Sequence, residues 1–198
     1  SFIKYYDPEI FVAAGRRIRT TVLSADELSP TERVKKIAQL FACFKNPDKE
    51  TVLTPWRVVN MHMSDCLGGY DFYDEAHEQM VDDPRFVDRG KVTAETFANA
   101  DARVLEINSK TGLYPLYVTY SIFRSRCAAC SEEELDDVKL QQLWDTTVQE
   151  NVFVICKTPM AKQITRRTLV GYRDIPVNAH YFDDLINMLK NKPKQFVD

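Results

Sequence analysis

Two stretches decide the fold: Arg103-Val104-Leu105-Glu106-Ile107-Asn108-Ser109-Lys110-Thr111-Gly112 and, further along, Asn151-Val152-Phe153-Val154-Ile155-Cys156. The second is an unbroken run of β-branched and aromatic residues, the pattern of a strand buried on both faces of a parallel sheet. The first is a short β-like run ending in an acid, then a turn closed by glycine. Between them the pattern turns helical. Leu116, Tyr120 and Phe123 fall on one face, and Leu140, Leu143, Trp144 and Val148 follow an acidic lead-in over residues 131–137. Strand, helix, strand implies parallel pairing through a right-handed crossover, hence a layered α/β sheet. Residues 104–107 and 152–156 are therefore expected to be adjacent parallel strands. Pro159-Met160 begins a further helix stopped by Gly171, and a weaker strand near 177–182 and a helix over 183–189 close the pattern.

Toward the amino terminus, Ser29-Pro30-Thr31-Glu32 sets an N-cap serine, proline at the first helical position and glutamate at the third. Val34, Ile37, Leu40 and Phe41 carry that helix, and Asn46-Pro47-Asp48 is expected to end it. Thr54-Pro55 opens another, running to Leu67 and stopped by Gly68-Gly69. Residues 70–98 are polar, acidic and weakly periodic, and read as an irregular excursion with a short helix. The division expected is an N-terminal helical segment over 1–100 and an α/β portion over 101–198, able to form one domain together. The ends carry no caps or tails and read as a piece cut from something longer.

The 198 residues, 44 % hydrophobic with only 6 Gly and 9 Pro, exclude a disordered or collagenous chain. With Lys+Arg 26 against Asp+Glu 29, the net charge of −3 lacks the footprint of a free-standing nucleic-acid binder. No apolar run approaches the roughly 20 residues of a membrane span, and no signal-peptide pattern opens the chain. Five scattered cysteines point to reduced thiols and a cytoplasmic setting. Cys127-Ala128-Ala129-Cys130 lacks the second ligand pair that a zinc site needs. His62 reads as a packing residue, and His77 and His180 have no ligand partners at metal spacing. Asp71, Asp74, Glu75, Asp82 and Asp83 read as a solvated loop, not a calcium loop. Lys162, Arg166, Arg167 and Arg173 read as a solvated helix face or, more sharply, a DNA-phosphate contact. No metal ligands and no catalytic residue are assigned.

The turn at Asn108-Ser109-Lys110-Thr111-Gly112 lies where doubly wound sheets bind ligands, beyond a strand's carboxyl end and before a helix N-terminus. Together with Leu53-Thr54-Pro55-Trp56, it resembles the amino-terminal half of class I S-adenosylmethionine-dependent adenine-N6 DNA methyltransferases, the methylase modules of restriction–modification systems. The resemblance spans roughly residues 29–190. It implies a partial Rossmann-like class I sheet and S-adenosylmethionine as cofactor. Thr54 and Pro55 fall on the Thr-Pro pair that packs over the cofactor's methionine end. Glu106 falls on the strand-end acid, Thr111 between the two glycines of the turn, and Gly112 on the second glycine. Asn108 in the turn and Lys157 after the second strand complete the expected cofactor-binding set.

The chain departs from that pattern at three places. Ile107 replaces the usual proline, Lys110 stands at the first glycine, and Lys157-Thr158-Pro159 puts no acid where the family holds the ribose hydroxyls. The Asn/Asp-Pro-Pro-Tyr/Phe turn that holds a flipped adenine is absent from the 198 residues. The expectation is a cofactor-binding segment whose full-length parent, with its remaining domains, acts on DNA and whose own binding of S-adenosylmethionine is weak or absent. The alternative is a degenerate, non-catalytic module of the same fold that supports DNA recognition or assembly. A nucleotide-binding enzyme of another kind is disfavoured by the absence of GxxxxGK[ST] and GxGxxG.

Overall fold

A computed structural model describes residues 7–44 and 52–191. The expected helix stop at Asn46-Pro47-Asp48 lies outside them. Asp7 caps the first helix by accepting from the Glu9 and Ile10 amides, with Pro8 at the first helical position, and α1 runs Pro8–Asp26. Sequence periodicity gave no sign of this helix. Its apolar residues Ile10, Phe11 and Val12 are consecutive and exposed, and only Val22 and Ala25 are buried. Then come α2 (Pro30–Ala42), capped by Ser29, and α3 (Trp56–Cys66), with Pro55 at its N-cap.

Where an irregular excursion was expected, the chain forms an antiparallel hairpin, β1 (Gly69–Tyr73) with β2 (Met80–Val87), followed by a short helix α4 (Lys91–Thr93) that continues as a π turn over Ala94–Ala98. Asp71, expected in a solvated loop, is fully buried in β1. Its Oδ2 accepts from His77 Nε2 and Arg85 Nη2, each at 2.8 Å. A buried carboxylate is tolerated when partnered in this way, and the acidic look of the segment conceals a structural ion cluster.

The carboxyl half follows the expected order. β3 (Val104–Ser109), α5 (Leu113–Ala128), α6 (Asp137–Glu150), β4 (Val152–Cys156), α7 (Pro159–Val170), β5 (Asn178–His180) and α8 (Leu185–Asn191) follow in turn. β3, β4 and β5 form a parallel sheet in that order, with Glu106 opposite Val154 and Ile155 opposite His180. The architecture is mixed α/β, with eight helices among the described residues and a small parallel sheet. Helices α5 and α7 pack on β3 and β4 and on each other. The opposite face is thinly covered: Leu105 and Ile107 are 49 % and 57 % exposed. Among the described residues β3 pairs only with β4, so its other edge is open.

One core cluster draws on both sides of residue 100. Trp56, Val59 and Phe72 pack with Leu116, Tyr117, Tyr120, Trp144 and Val154. Hydrogen bonds stitch the halves, three of them around Tyr70, Tyr117 and Tyr120. Tyr117 Oη donates to Gly68 O at 2.8 Å, the Tyr70 amide to Ser121 Oγ at 2.9 Å, and Tyr120 and Thr31 share a hydroxyl bond of 2.8 Å. Tyr117 is fully buried, so Tyr117→Phe leaves a buried carbonyl short of its donor. The expected loss is about 1–2 kcal/mol, read as a lowered urea midpoint with unchanged slope.

Candidate functional site

The carboxyl ends of β3 and β4 and the N-termini of α5 and α7 converge, as the handedness of parallel crossovers requires. The Lys157 amide donates to Ser109 O at 3.0 Å, which holds the two strand ends together past the regular ladder. Two residues here are in the left-handed region: Asn108 at φ 72°, where the β3–β4 register shifts, and Gly112 at φ 76°, which closes the β3–α5 turn. A Cβ on Gly112 would stand 3.0 Å from Thr165 Cα, so the turn lies hard against α7 and admits only glycine there. Thr168 Oγ1 donates to Thr111 O at 2.6 Å and fixes the turn's other side.

Three cavities meet this turn and its strand. One of about 280 Å³ is lined by Thr54, Pro55, Trp56, Arg57, Thr111 and Leu113 among others. A second, of about 390 Å³ and almost wholly apolar, lies between α1, α2 and α7 and reaches Lys110, Thr111 and Leu53. The two share Thr111 and Leu53, so Thr54, Pro55, Lys110 and Thr111 are neighbours as expected. Trp56 is buried in the first, and its indole N–H has no hydrogen-bond partner. Lys110 Nζ donates to Val52 O at 3.4 Å and so ties the turn to the Thr54 segment.

Glu106 opens elsewhere. It lines a third cavity of about 340 Å³ along the open edge of β3, with Met63 and Leu67 of α3 and Tyr114, Pro115 and Val118 of α5. Its Oε2 is buried without a hydrogen-bond partner. Burial pushes the carboxyl up to about 7, and a hydrogen bond from Ser109 pulls weakly the other way. Burial raises the Tyr114 hydroxyl as well, with Glu106 adding to it. The expected single pocket uniting Thr54, Glu106, Gly112 and Lys157 is thus divided among separate cavities. Lys157 lines none of these three and its side chain is exposed. Asn108, expected in the turn, is exposed within β3 at the irregularity of its ladder.

The hairpin brings His77, read as partnerless, and Asp71, read as part of a solvated loop, against Ser64 of α3. Ser64, His77 and Asp71 converge in the manner of a nucleophile, base and orienting acid. Both contacts fall on the same His77 nitrogen, Nε2, at 3.4 Å to Ser64 Oγ and 2.8 Å to Asp71 Oδ2. A relay needs opposite ring nitrogens and a reachable hydroxyl, whereas Ser64 is 1 % exposed. The cluster is structural. His62, expected to pack, is exposed and meets Tyr114 Oη through Nδ1 at 3.2 Å. Cys127 lies in the last turn of α5, where burial pushes its thiol up to about 11, away from thiolate reactivity. Among the described residues no group of three or more His, Cys, Asp or Glu side chains is placed to hold a metal ion, and no helix is long and apolar enough to cross a membrane. No family model matches the chain, and neither a curated protein nor a solved structure matches it.

Proposed function

We propose that this chain is the S-adenosylmethionine-binding segment of a DNA adenine-N6 methyltransferase of a restriction–modification system, with a class I methyltransferase sheet of which β3, β4 and β5 form one half. The observation that carries the reading is Glu106. A carboxyl oxygen buried without a partner among the described residues, midway along the first parallel strand and three residues short of the turn that Gly112 closes, suits a cationic, hydrogen-bond-donating ligand. The ammonium-bearing methionine end of S-adenosylmethionine is of that chemistry. Thr54, Pro55 and Thr111 line a separate cavity across the turn, where the unpartnered Trp56 N–H offers one further donor. When bound, the cofactor supplies an activated methyl group. The chain's own contribution is orientation and the exclusion of water. Remaining domains of the parent chain, in this reading, cover the open edge of β3, supply the adenine-holding turn that these residues lack, and bind DNA.

One observation favours the second reading, a degenerate module of the same fold that supports DNA recognition or assembly. Lys110 replaces a glycine and bridges to Val52 O, narrowing the approach to the turn. Titration calorimetry with S-adenosylmethionine separates the two. The first reading expects weak binding by the intact sequence, tighter binding for Lys110→Gly, and none for Glu106→Ala. Absence of heat with both the wild type and Lys110→Gly sinks the cofactor reading in favour of the second.

A further inference from the structure

The arginines of this chain divide into two populations. Arg85, Arg89, Arg124, Arg126, Arg166 and Arg173 each sit against a carboxylate within 3.3 Å. Arg16, Arg17 and Arg19 on α1, Arg57 and Arg103, and Arg167 on α7 have no ion pair among the described residues. Arg16, Arg19 and Arg167 gather on one side, whereas Arg17, two residues and so about 200° around the helix from Arg19, does not. Arg19 and Arg167 share a single aromatic ring, their guanidinium carbons 5.1 Å and 4.1 Å from the centroid of Tyr172. Arg167 is held further by donating to Gly171 O at 2.9 Å. Arg16 lies one turn before Arg19 on the exposed side of α1, away from buried Val22 and Ala25.

Two like charges gathered on one ring repel, and nothing local offsets them. The nearest acid, Asp26, is already engaged by Arg33 Nε and by the Tyr172 amide. Glu9 and Glu27 lie at the two ends of α1 and make no ion pair. The chain as a whole is acidic, so this concentration of unpaired guanidiniums is a local feature and not an average. Packing against Tyr172 fixes the Arg19 and Arg167 side chains in advance, which lowers the ordering cost when an anion arrives. Guanidinium forks match phosphate oxygens, and phosphate contacts of this kind position a protein on a nucleic-acid backbone.

We propose that the α1–α7 face binds the phosphate backbone of duplex DNA through Arg16, Arg19 and Arg167, with Tyr172 as the post that positions two of them. The choice of duplex DNA rests on the methyltransferase reading, whereas the anion-binding character of the face does not. Contacts of this kind carry no base information; they set register and add salt-dependent affinity.

Fluorescence anisotropy of the full chain with a labelled duplex of mixed sequence, taken over a salt series, tests the proposal. Arg16→Gln/Arg19→Gln/Arg167→Gln removes the three guanidiniums of the face, and circular dichroism checks its fold. It should lower affinity at least about tenfold at low salt and reduce the slope of log K against log salt by about 2–3. The charge-matched control Lys91→Gln/Arg103→Gln/Lys190→Gln should leave the slope within about 1 of the wild type. The proposal is overturned by a wild type that does not bind the duplex, by equal losses in the two triple variants, or by displacement of the duplex by polyglutamate of the same total charge. Calorimetry with S-adenosylmethionine on the same variants keeps the two ideas apart. A chain that binds the duplex but not the cofactor refutes the cofactor reading alone. A chain that binds the cofactor but not the duplex refutes the arginine face alone.

Discussion

Asp26→Ala is expected to remove about 3–5 kcal/mol of stability, a large share of the roughly 5–15 kcal/mol by which a domain is folded. The cause is Arg33, which is 5 % exposed. Its Nε donates to Asp26 Oδ1 at 3.1 Å, Nη1 to Thr168 O at 3.0 Å and Nη2 to Arg167 O at 3.2 Å. The last two are carbonyls at the end of α7, so a side chain of the second helix caps the seventh. Asp26 is the only carboxylate in contact with this guanidinium among the described residues, and its Oδ2 also accepts the Tyr172 amide at 3.0 Å. Burial already lowers the Arg33 pKa and Asp26 holds it up, so removing the carboxylate strands a cation among carbonyls. Gly171 belongs to the same arrangement. It sits at φ 62°, and a Cβ there would collide with both Asp26 carboxylate oxygens. Urea denaturation of Asp26→Ala and of Asp26→Leu/Arg33→Met decides between charge and shape. The double variant, which removes both charges, should recover at least half of the single variant's loss. A loss below about 1 kcal/mol in Asp26→Ala contradicts the account.

The parallel sheet was legible because β4 is apolar at every position and its neighbours are helical at regular spacing. The turn after β3 was legible for a similar reason: an acid, a short polar run and a glycine before a helix have few other uses. The β1–β2 hairpin was not legible. Its buried face carries Asp71, and β2 contains Pro84, so alternation is broken on both strands. What makes Asp71 an interior residue is Arg85 and His77, fourteen and six positions away, and composition alone reads all three as surface. Helix α1 had its signal in Asp7-Pro8-Glu9, yet its first three turns lack an apolar stripe because little of the fold lies beneath them. At the candidate site the residue types were readable but their grouping was not. Whether Glu106 faces Thr54 or the edge of β3 depends on where α3 lays Met63 and Leu67, and local sequence around β3 does not carry that information.

Glu106 makes the sharpest link between stability and binding. Its carboxyl is raised from an ordinary 4.5 to about 7 by burial. A folded state that holds a proton more tightly than the unfolded chain is most stable where both are protonated, below about 4.5. It loses that advantage progressively as pH rises toward 7, and above 7 the ionised group is a standing penalty on the order of 2 kcal/mol. Glu106→Gln cannot ionise. Its own stability against denaturant should therefore change little from this source between pH 5 and pH 8, while the wild type falls. The gap between the two, whatever the fixed cost of the buried amide, should move in favour of the glutamine variant by about 2 kcal/mol over that range. In the cofactor reading the same substitution removes the negative charge that a cationic ligand meets, so calorimetric binding of S-adenosylmethionine should vanish in the more stable protein. Stability traded for a poised charge is the expected signature of a ligand site. A pH-independent gap would show that Glu106 titrates normally, and a Gln variant that binds the cofactor as the wild type does would remove Glu106 from the site.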